Sequence, residues 1–189
     1  VYPRANIISR QLVRDKSKKI IAANVDLLVL VASAQNPAYK RGMVDRYLLH
    51  AANWEIPVLL VLNKIDVMDS AIDWAFECSR LKPLCRQIYA LCAKDPSLKT
   101  PIISHSFDHL FIDLKGKTVI FLGQSGVGKS RLIQALSGES LQLKSQDIGK
   151  VGKGVHTTTW AELHVLSTFN VIDSPGIRSL SIGDIPAEN

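Results

Sequence analysis

Thr118-Val119-Ile120-Phe121-Leu122-Gly123-Gln124-Ser125-Gly126-Val127-Gly128-Lys129-Ser130 is a short apolar run that breaks into a glycine loop ending in Lys-Ser. The run has the pattern of a strand buried on both faces, and Ser130 to Leu136 carries helical character. The loop therefore fits G-x-x-x-x-G-K-S with the strand before it and the helix after it that this motif requires. Its glycines let the backbone wrap a phosphate, so that successive N–H groups and the positive helix end meet the anionic oxygens. Lys129 is suited to the β- and γ-phosphates and Ser130 to Mg²⁺. Gly123, Gln124, Ser125, Gly126, Val127, Gly128, Lys129, Ser130 and the following Arg131 form the candidate phosphate-binding set.

Upstream, the apolar run Val58-Leu59-Leu60-Val61-Leu62 ends in Asn63-Lys64-Ile65-Asp66. Guanine presents its N1–H and 2-amino group side by side, and the Asp66 carboxylate can accept from both. Adenine has an acceptor at N1 and no 2-amino group, so it would leave Asp66 unpaired. Sites built on such paired bonds reject an analogue by ~10⁴ to 10⁵. Asn63 can reach the base and brace the phosphate loop, while the Lys64 stem can cover the ring face. N-K-x-D is moderately specific alone, but together with the phosphate loop it points to GTP over ATP. The base-reading motif precedes the phosphate loop, the reverse of the usual order in a small GTPase.

Downstream, Asp173-Ser174-Pro175-Gly176 closes another apolar run and matches D-x-x-G, with Asp173 toward Mg²⁺ and the Gly176 N–H toward the γ-phosphate. Between the two lies Gly152-Lys153-Gly154-Val155-His156-Thr157-Thr158-Thr159, a glycine-rich segment ending in hydroxyls. A threonine here can complete a Mg²⁺ shell in one nucleotide state and release it in the other; Thr158 is the first choice, with Thr157 next. Ser104 is placed to bring a backbone N–H near the guanine carbonyl.

The remaining pattern alternates strands and helices. Leu27 to Val31 reads as a second doubly buried strand, and Met43, Val44, Tyr47, Leu48 and Ala51 mark one face of a helix. Residues 70–93 read as helical with a break near Pro83, and Pro101 to Ser104 as a short strand. Ala161 to Leu166 and Phe169 to Ile172 supply two more strands. This predicts an α/β fold on a mainly parallel sheet with helices on both faces, in which ligands bind at the carboxyl ends of strands.

With 189 residues, 47% hydrophobic and 21% charged, the chain suits one well-buried domain. Residues 1–20 read as a basic lead-in and 21–189 as the nucleotide-binding domain. No apolar run approaches the ~20 residues of a membrane span and no apolar leader opens the chain, so a soluble, cytoplasmic protein without membrane contact is expected. The chain begins at Val1 and stops where Ile182 to Pro186 reads as leading into another helix, the pattern of a piece of something longer. Lys and Arg number 23 against 17 Asp and Glu, a net charge of +6. Arg4, Arg10, Arg14, Lys16, Lys18 and Lys19 crowd the start of the chain, which suits either a polyanionic partner or a solvated basic face. Cys78, Cys85 and Cys92 recur at a seven-residue spacing and read as buried thiols sharing a helix face.

The order of these motifs, with Val44-Asp45-Arg46-Tyr47-Leu48, Gly152 to Thr159 and Asp-Ser-Pro-Gly at 173–176, resembles the RsgA (YjeQ) family of circularly permuted GTPases. That resemblance implies GTP hydrolysis in late maturation of the small ribosomal subunit, with rRNA and the subunit as partners, GTP/GDP as substrate and product, and Mg²⁺ as cofactor. Members typically carry an OB-fold barrel before this domain and a zinc domain after it. The Cys/His cluster of the latter does not occur here, so zinc is not expected in this chain, and a monomer is. Lys129, Thr158 and His156 are the catalytic candidates, with His156 similar in position to a family histidine that orients water. Ile177 follows D-x-x-G where many GTPases carry glutamine, so unassisted turnover should be slow. A second reading is a nucleotide-gated RNA-binding module in which hydrolysis is incidental. A third, an ATP-dependent kinase, is disfavoured by Asn63 to Asp66.

Overall fold

The computed structural model describes residues 3–11, 18–103, 106–138 and 161–173. The continuously apolar runs become the centre of a six-stranded sheet. It comprises β3 (Leu27–Ser33), β4 (Val58–Asn63), β5 (Gln87–Leu91), β6 (Thr118–Leu122), β7 (Glu162–Val165) and β8 (Asn170–Asp173), in the spatial order β5-β4-β3-β6-β8-β7. All neighbours run parallel except the edge strand β7, which is antiparallel to β8.

Side chains on a strand alternate between its two faces, so a strand covered on both faces must be apolar at every position. Leu28, Leu30 and Ala32 of β3 join one core with Val44, Tyr47 and Leu48 of α1 (Arg41–Asn53) and Trp74 and Leu81 of α2 (Trp74–Leu81). Leu27, Val29 and Val31 join the other, against Leu110 and Leu114 of α3 (Phe107–Leu114) and Leu132, Ile133 and Leu136 of α4 (Lys129–Ser137). The predicted α/β class, with a mostly parallel sheet between helical layers, is what forms. Among the described residues no helix is long and apolar enough to cross a membrane.

Three expectations need correction. Residues 70–93 are not helical throughout: α2 ends at Leu81, a single 3-10 turn carries Pro83, and β5 follows. Proline lacks the N–H that a continuing helix would use, and Ile88-Tyr89-Ala90-Leu91 is apolar on both faces because it pairs with β4 between the two cores. The cysteines accordingly share no helix face: Cys78 lies on α2, Cys85 beyond the turn and Cys92 just after β5, all three free. Burial pushes the Cys85 thiol up to about 12 and raises that of Cys78, so neither is a reactive thiolate at neutral pH. Pro101 to Ile103 forms no strand of the main sheet; Thr100 and Ile103 make one isolated bridge, and β5 occupies the edge beside β4.

The basic lead-in also contains structure that its composition does not announce. β1 (Ile7–Gln11) and β2 (Lys18–Ala23) form a separate antiparallel pair. Ile8 is buried in the core shared with α1, Trp54 donates its indole N–H to the Ser9 carbonyl at 3.2 Å, and the Asn6 amide bonds both the N–H (2.9 Å) and the carbonyl (2.7 Å) of Val25.

Glu77, on the buried side of α2, ties that helix to α1 and to the segment leading into it. Its carboxylate accepts from Arg80 at 3.0 Å and from the Tyr39 hydroxyl at 3.0 Å, and pairs with Arg41. Burial alone would raise its pKa, but the bonds from Arg80, Tyr39 and Arg41 outweigh it and hold the carboxyl below its usual range. A carboxylate whose pKa is lower in the folded chain stabilises the fold above the ordinary carboxylate range, and this contribution fades as pH falls through the lowered value. Glu77→Gln should therefore cost about 2 kcal/mol at pH 7, read from urea midpoints, the scale of hydrogen bonds to a charged group. The gap between variant and parent should begin to narrow as pH falls past the ordinary glutamate value, about 4.3, and should close only below the lowered value of the folded chain; a gap independent of pH would show that the charge of Glu77 contributes nothing.

Candidate functional site

The carboxyl ends of the parallel strands place their loops along one edge of the sheet. β6 ends at Leu122, and the loop Gly123 to Gly128 leads into α4, whose first residue is Lys129. Gly128 has φ +94°, and a Cβ there would stand 2.5 Å from the Asn63 side-chain nitrogen. Gly123 has φ +144°, and a Cβ on it would overlap the Val31 carbonyl of β3. Only glycine satisfies both positions, which is why the loop can pass so close to its neighbours. The Lys129 ammonium folds back along the loop and donates to the carbonyls of Gly123 and Gln124, each at 2.8 Å.

Asn63, the last residue of β4, is buried to 1% exposure and bonded at both ends of its amide. Its Nδ2 donates to the Val127 carbonyl at 2.8 Å, and its Oδ1 accepts from the Ala93 N–H at 3.0 Å. The N-K-x-D strand is thus joined to the phosphate loop on one side and to the loop after β5 on the other. Lys64 takes a left-handed conformation (φ +64°), and its ammonium donates to the carbonyls of Gly126, at 2.8 Å, and of Asn36 in the loop after β3. Asp66 lies in a 3-10 turn (Ile65–Val67), its carboxylate exposed and accepting from the Cys92 thiol at 3.3 Å.

These groups enclose a cavity of about 310 Å³ lined by Asn63, Lys64, Asp66, Cys92, Ala93, Lys94, Gly126, Gly128 and Arg131. Four cationic side chains, Lys64, Lys94, Lys129 and Arg131, stand around it or on its adjoining loop, with the amino end of the nine-residue α4 pointing the same way. This balance favours an anionic ligand, and Asp66 offers acceptors for a paired donor edge. Val127 is buried beneath the loop, Gln124 and Ser125 lie within it, and Ser130 is exposed in the first turn of α4. Asp173 ends β8, which neighbours β6. Ser104, His156, Thr157, Thr158 and Gly176 lie outside the described residues.

The residues that sequence reading missed are Cys92, Ala93 and Lys94. Their signal was present: Leu91-Cys92-Ala93-Lys94 ends an apolar run just as Asn63-Lys64 ends Val58 to Leu62. Assigning that run to a helix hid it.

The sequence matches the family described as RsgA GTPase over residues 1–183. It is 35% identical to a Shewanella oneidensis protein named small ribosomal subunit biogenesis GTPase RsgA, over the whole chain and 51% of that protein. A Chlorobaculum parvum protein of the same name is 36% identical over 95% of the chain and 56% of its own length. The chain thus spans about half the length of these relatives. Among solved structures, YjeQ from Thermotoga maritima superposes with a TM-score of 0.65 at 26% identity, covering 96% of the chain and 55% of YjeQ. YloQ, described as a circularly permuted GTPase, superposes at 0.59 over 98% of the chain and 61% of YloQ; at 23% identity that likeness is one of fold. Motif order, sheet topology and sequence agree: the chain belongs to the RsgA GTPase family.

Proposed function

We propose that this chain binds GTP, hydrolyses it to GDP and phosphate, and acts in late maturation of the small ribosomal subunit, with the subunit and its rRNA as the partners that stimulate turnover. The observation that carries the reading is the Asn63 amide, which fastens an N-K-x-D strand to the phosphate loop, so that a base reader and a phosphate cradle share one wall. The relatives' names supply the ribosomal part.

Asp66 accepts from guanine N1–H and the 2-amino group, and the Lys64 stem covers the ring. A backbone N–H at Ser104 serves the guanine carbonyl, and Ala93, whose own N–H is committed to Asn63, lines the cavity wall. The amides of Gly123 to Ser130 and the Lys129 ammonium hold the phosphates, with Arg131 at the cavity wall. The Ser130 hydroxyl, at the start of α4, and the Asp173 carboxylate, at the end of β8, are hard oxygen donors of the kind Mg²⁺ takes, and Thr158 completes that set. Mg²⁺ when bound neutralises charge on the β- and γ-phosphates. The Gly176 N–H reaches the γ-phosphate, and His156 orients the attacking water when a partner orders its segment. The protein works as a cytoplasmic monomer, and the reading calls for no zinc in this chain.

Two measurements test this. GTP turnover at fixed Mg²⁺ and salt should be slow for the chain alone, on the order of 10⁻⁴ s⁻¹, and should accelerate with purified small subunits but not with large ones. Tight GTP binding without any acceleration would instead favour the nucleotide-gated RNA-binding module. Asp66→Asn should move nucleotide preference from GTP toward XTP in a competition assay against a fluorescent nucleotide, because an amide donates where xanthine carries a 2-oxygen. Unchanged GTP preference would remove Asp66 from base recognition.

A further inference from the structure

We infer that a cavity at the amino end of β5 is a second ligand site, one that takes a small amphipathic anion, an acidic head group on a compact apolar body. The inference is independent of the guanine reading. The cavity measures about 510 Å³, the size of a small-molecule site, against about 310 Å³ for the cavity beside Asn63, and the two share no lining residue. They stand at opposite ends of one strand. Gln87, the first residue of β5, lines one, and Cys92, just past its end, lines the other, a separation of about 16 Å at the rise of an extended chain.

The charge on its walls is one-sided. Lys82 and Arg86 both line the cavity; among the described residues no carboxylate lines it, and neither cation forms an ion pair. Glu77, beside Cys78 in the chain, and Asp45 of α1 are both bonded to Arg80. Burial raises the thiols of Cys78 and Cys85, so these walls are uncharged at neutral pH. The opposing partial charge comes from the carbonyl end of α2, about half a unit that fades within one turn and is met at Cys78 by the Lys82 N–H; two full cations outweigh it. The apolar side is fixed in place: Ile88 is buried in the sheet, and Ile102, Ile103 and both cysteines pack against the same core. Arg86 is anchored through its backbone, whose N–H donates to the Val58 carbonyl at 2.8 Å. A ligand with an anionic end and an apolar body satisfies both halves, whereas a cation is repelled and a neutral hydrocarbon leaves Lys82 and Arg86 without a counter-charge.

Anilinonaphthalene sulfonate, whose sulfonate and fused rings have this chemistry, is the probe, and phenylnaphthylamine, the same rings without the sulfonate, is its control. Equilibrium dialysis of the whole chain should give one saturable site for the sulfonate and binding about tenfold weaker for the amine. Lys82→Ala and Arg86→Ala should each weaken the sulfonate about twofold to fivefold, the scale of an exposed ion pair, and leave the amine unchanged. Lys82→Glu combined with Arg86→Glu should abolish sulfonate binding. Ser79→Trp, which sets a large ring into the cavity from an exposed position, should block both compounds. A saturating excess of GDP should displace neither. Displacement by GDP, equal affinity for the two compounds, affinity indifferent to Lys82 and Arg86, or no saturable binding would each overturn the inference. Far-UV circular dichroism verifies the fold of each variant; if Ser79→Trp unfolds, the paired charge reversal at two exposed positions decides in its place.

Discussion

The buried amide of Asn63 is the joint on which the site depends. An amide without water must spend its donor and its acceptor within the protein, and leaving either unpaired costs about 1 to 3 kcal/mol. Here the donor is committed to Val127 and the acceptor to Ala93, so three loops from distant parts of the chain are held in one arrangement. Gly128 follows from the same constraint, since a side chain on it would collide with the amide at 2.5 Å. The shape of the phosphate loop is therefore a consequence of the base-side strand as much as of its own glycines. Lys64 adds a second tie, bridging the carbonyls of Asn36 and Gly126 from its left-handed backbone.

The sheet order explains why this joint lies where it does. From β3 the chain winds outward through β4 to β5 at one edge, and after β6 it reaches the opposite edge at β7 and turns back to β8, which lies between β7 and β6. β3 and β6 are parallel neighbours, so their following loops diverge and leave a crevice between them. The loop carrying Asn36 and Pro37 comes from β3, and the phosphate loop comes from β6; Gly123 passes against the Val31 carbonyl where the two separate. Reversing the usual motif order along the chain leaves this crevice intact, because the spatial neighbours are fixed by strand pairing and not by which segment is synthesised first.

Much of this was legible in the residues, for identifiable reasons. Runs that lie between two cores are apolar at every position, so β3, β4, β6 and β8 stood out, and the glycines of the phosphate loop are demanded by backbone geometry. β5 was hidden because Ile88 to Leu91 is short and follows a helix and a proline, where a short apolar run fits either period. With it went Cys92 to Lys94, which line the cavity only because that strand pairs with β4. The β1–β2 pair was less legible because basic residues crowd positions 4–19 around it, while the residues that attach it, Asn6, Ile8 and Ser9, are few and act partly through backbone groups.

The charged cluster around Glu77 is connected to the cavity beside Asn63 and Gly126 through the loop after β3. Tyr39, which donates to Glu77 and packs edge-on against Trp74 at 5.2 Å between ring centroids, fixes the far end of that loop to α2. Its near end begins at Ser33, whose hydroxyl donates to the Gln35 carbonyl, and the Lys64 ammonium holds the middle at Asn36. Pro37 then stands where a Cβ on Gly126 would meet it at 3.6 Å, directly behind the phosphate loop. Glu77 on α2 and Pro37 behind Gly126 are thus linked along one loop, through the bonds that Tyr39 and Lys64 make with its neighbours. Stability on that side and the shape of the cavity draw on the same bonds, because a short loop held at both ends transmits the position of its anchors.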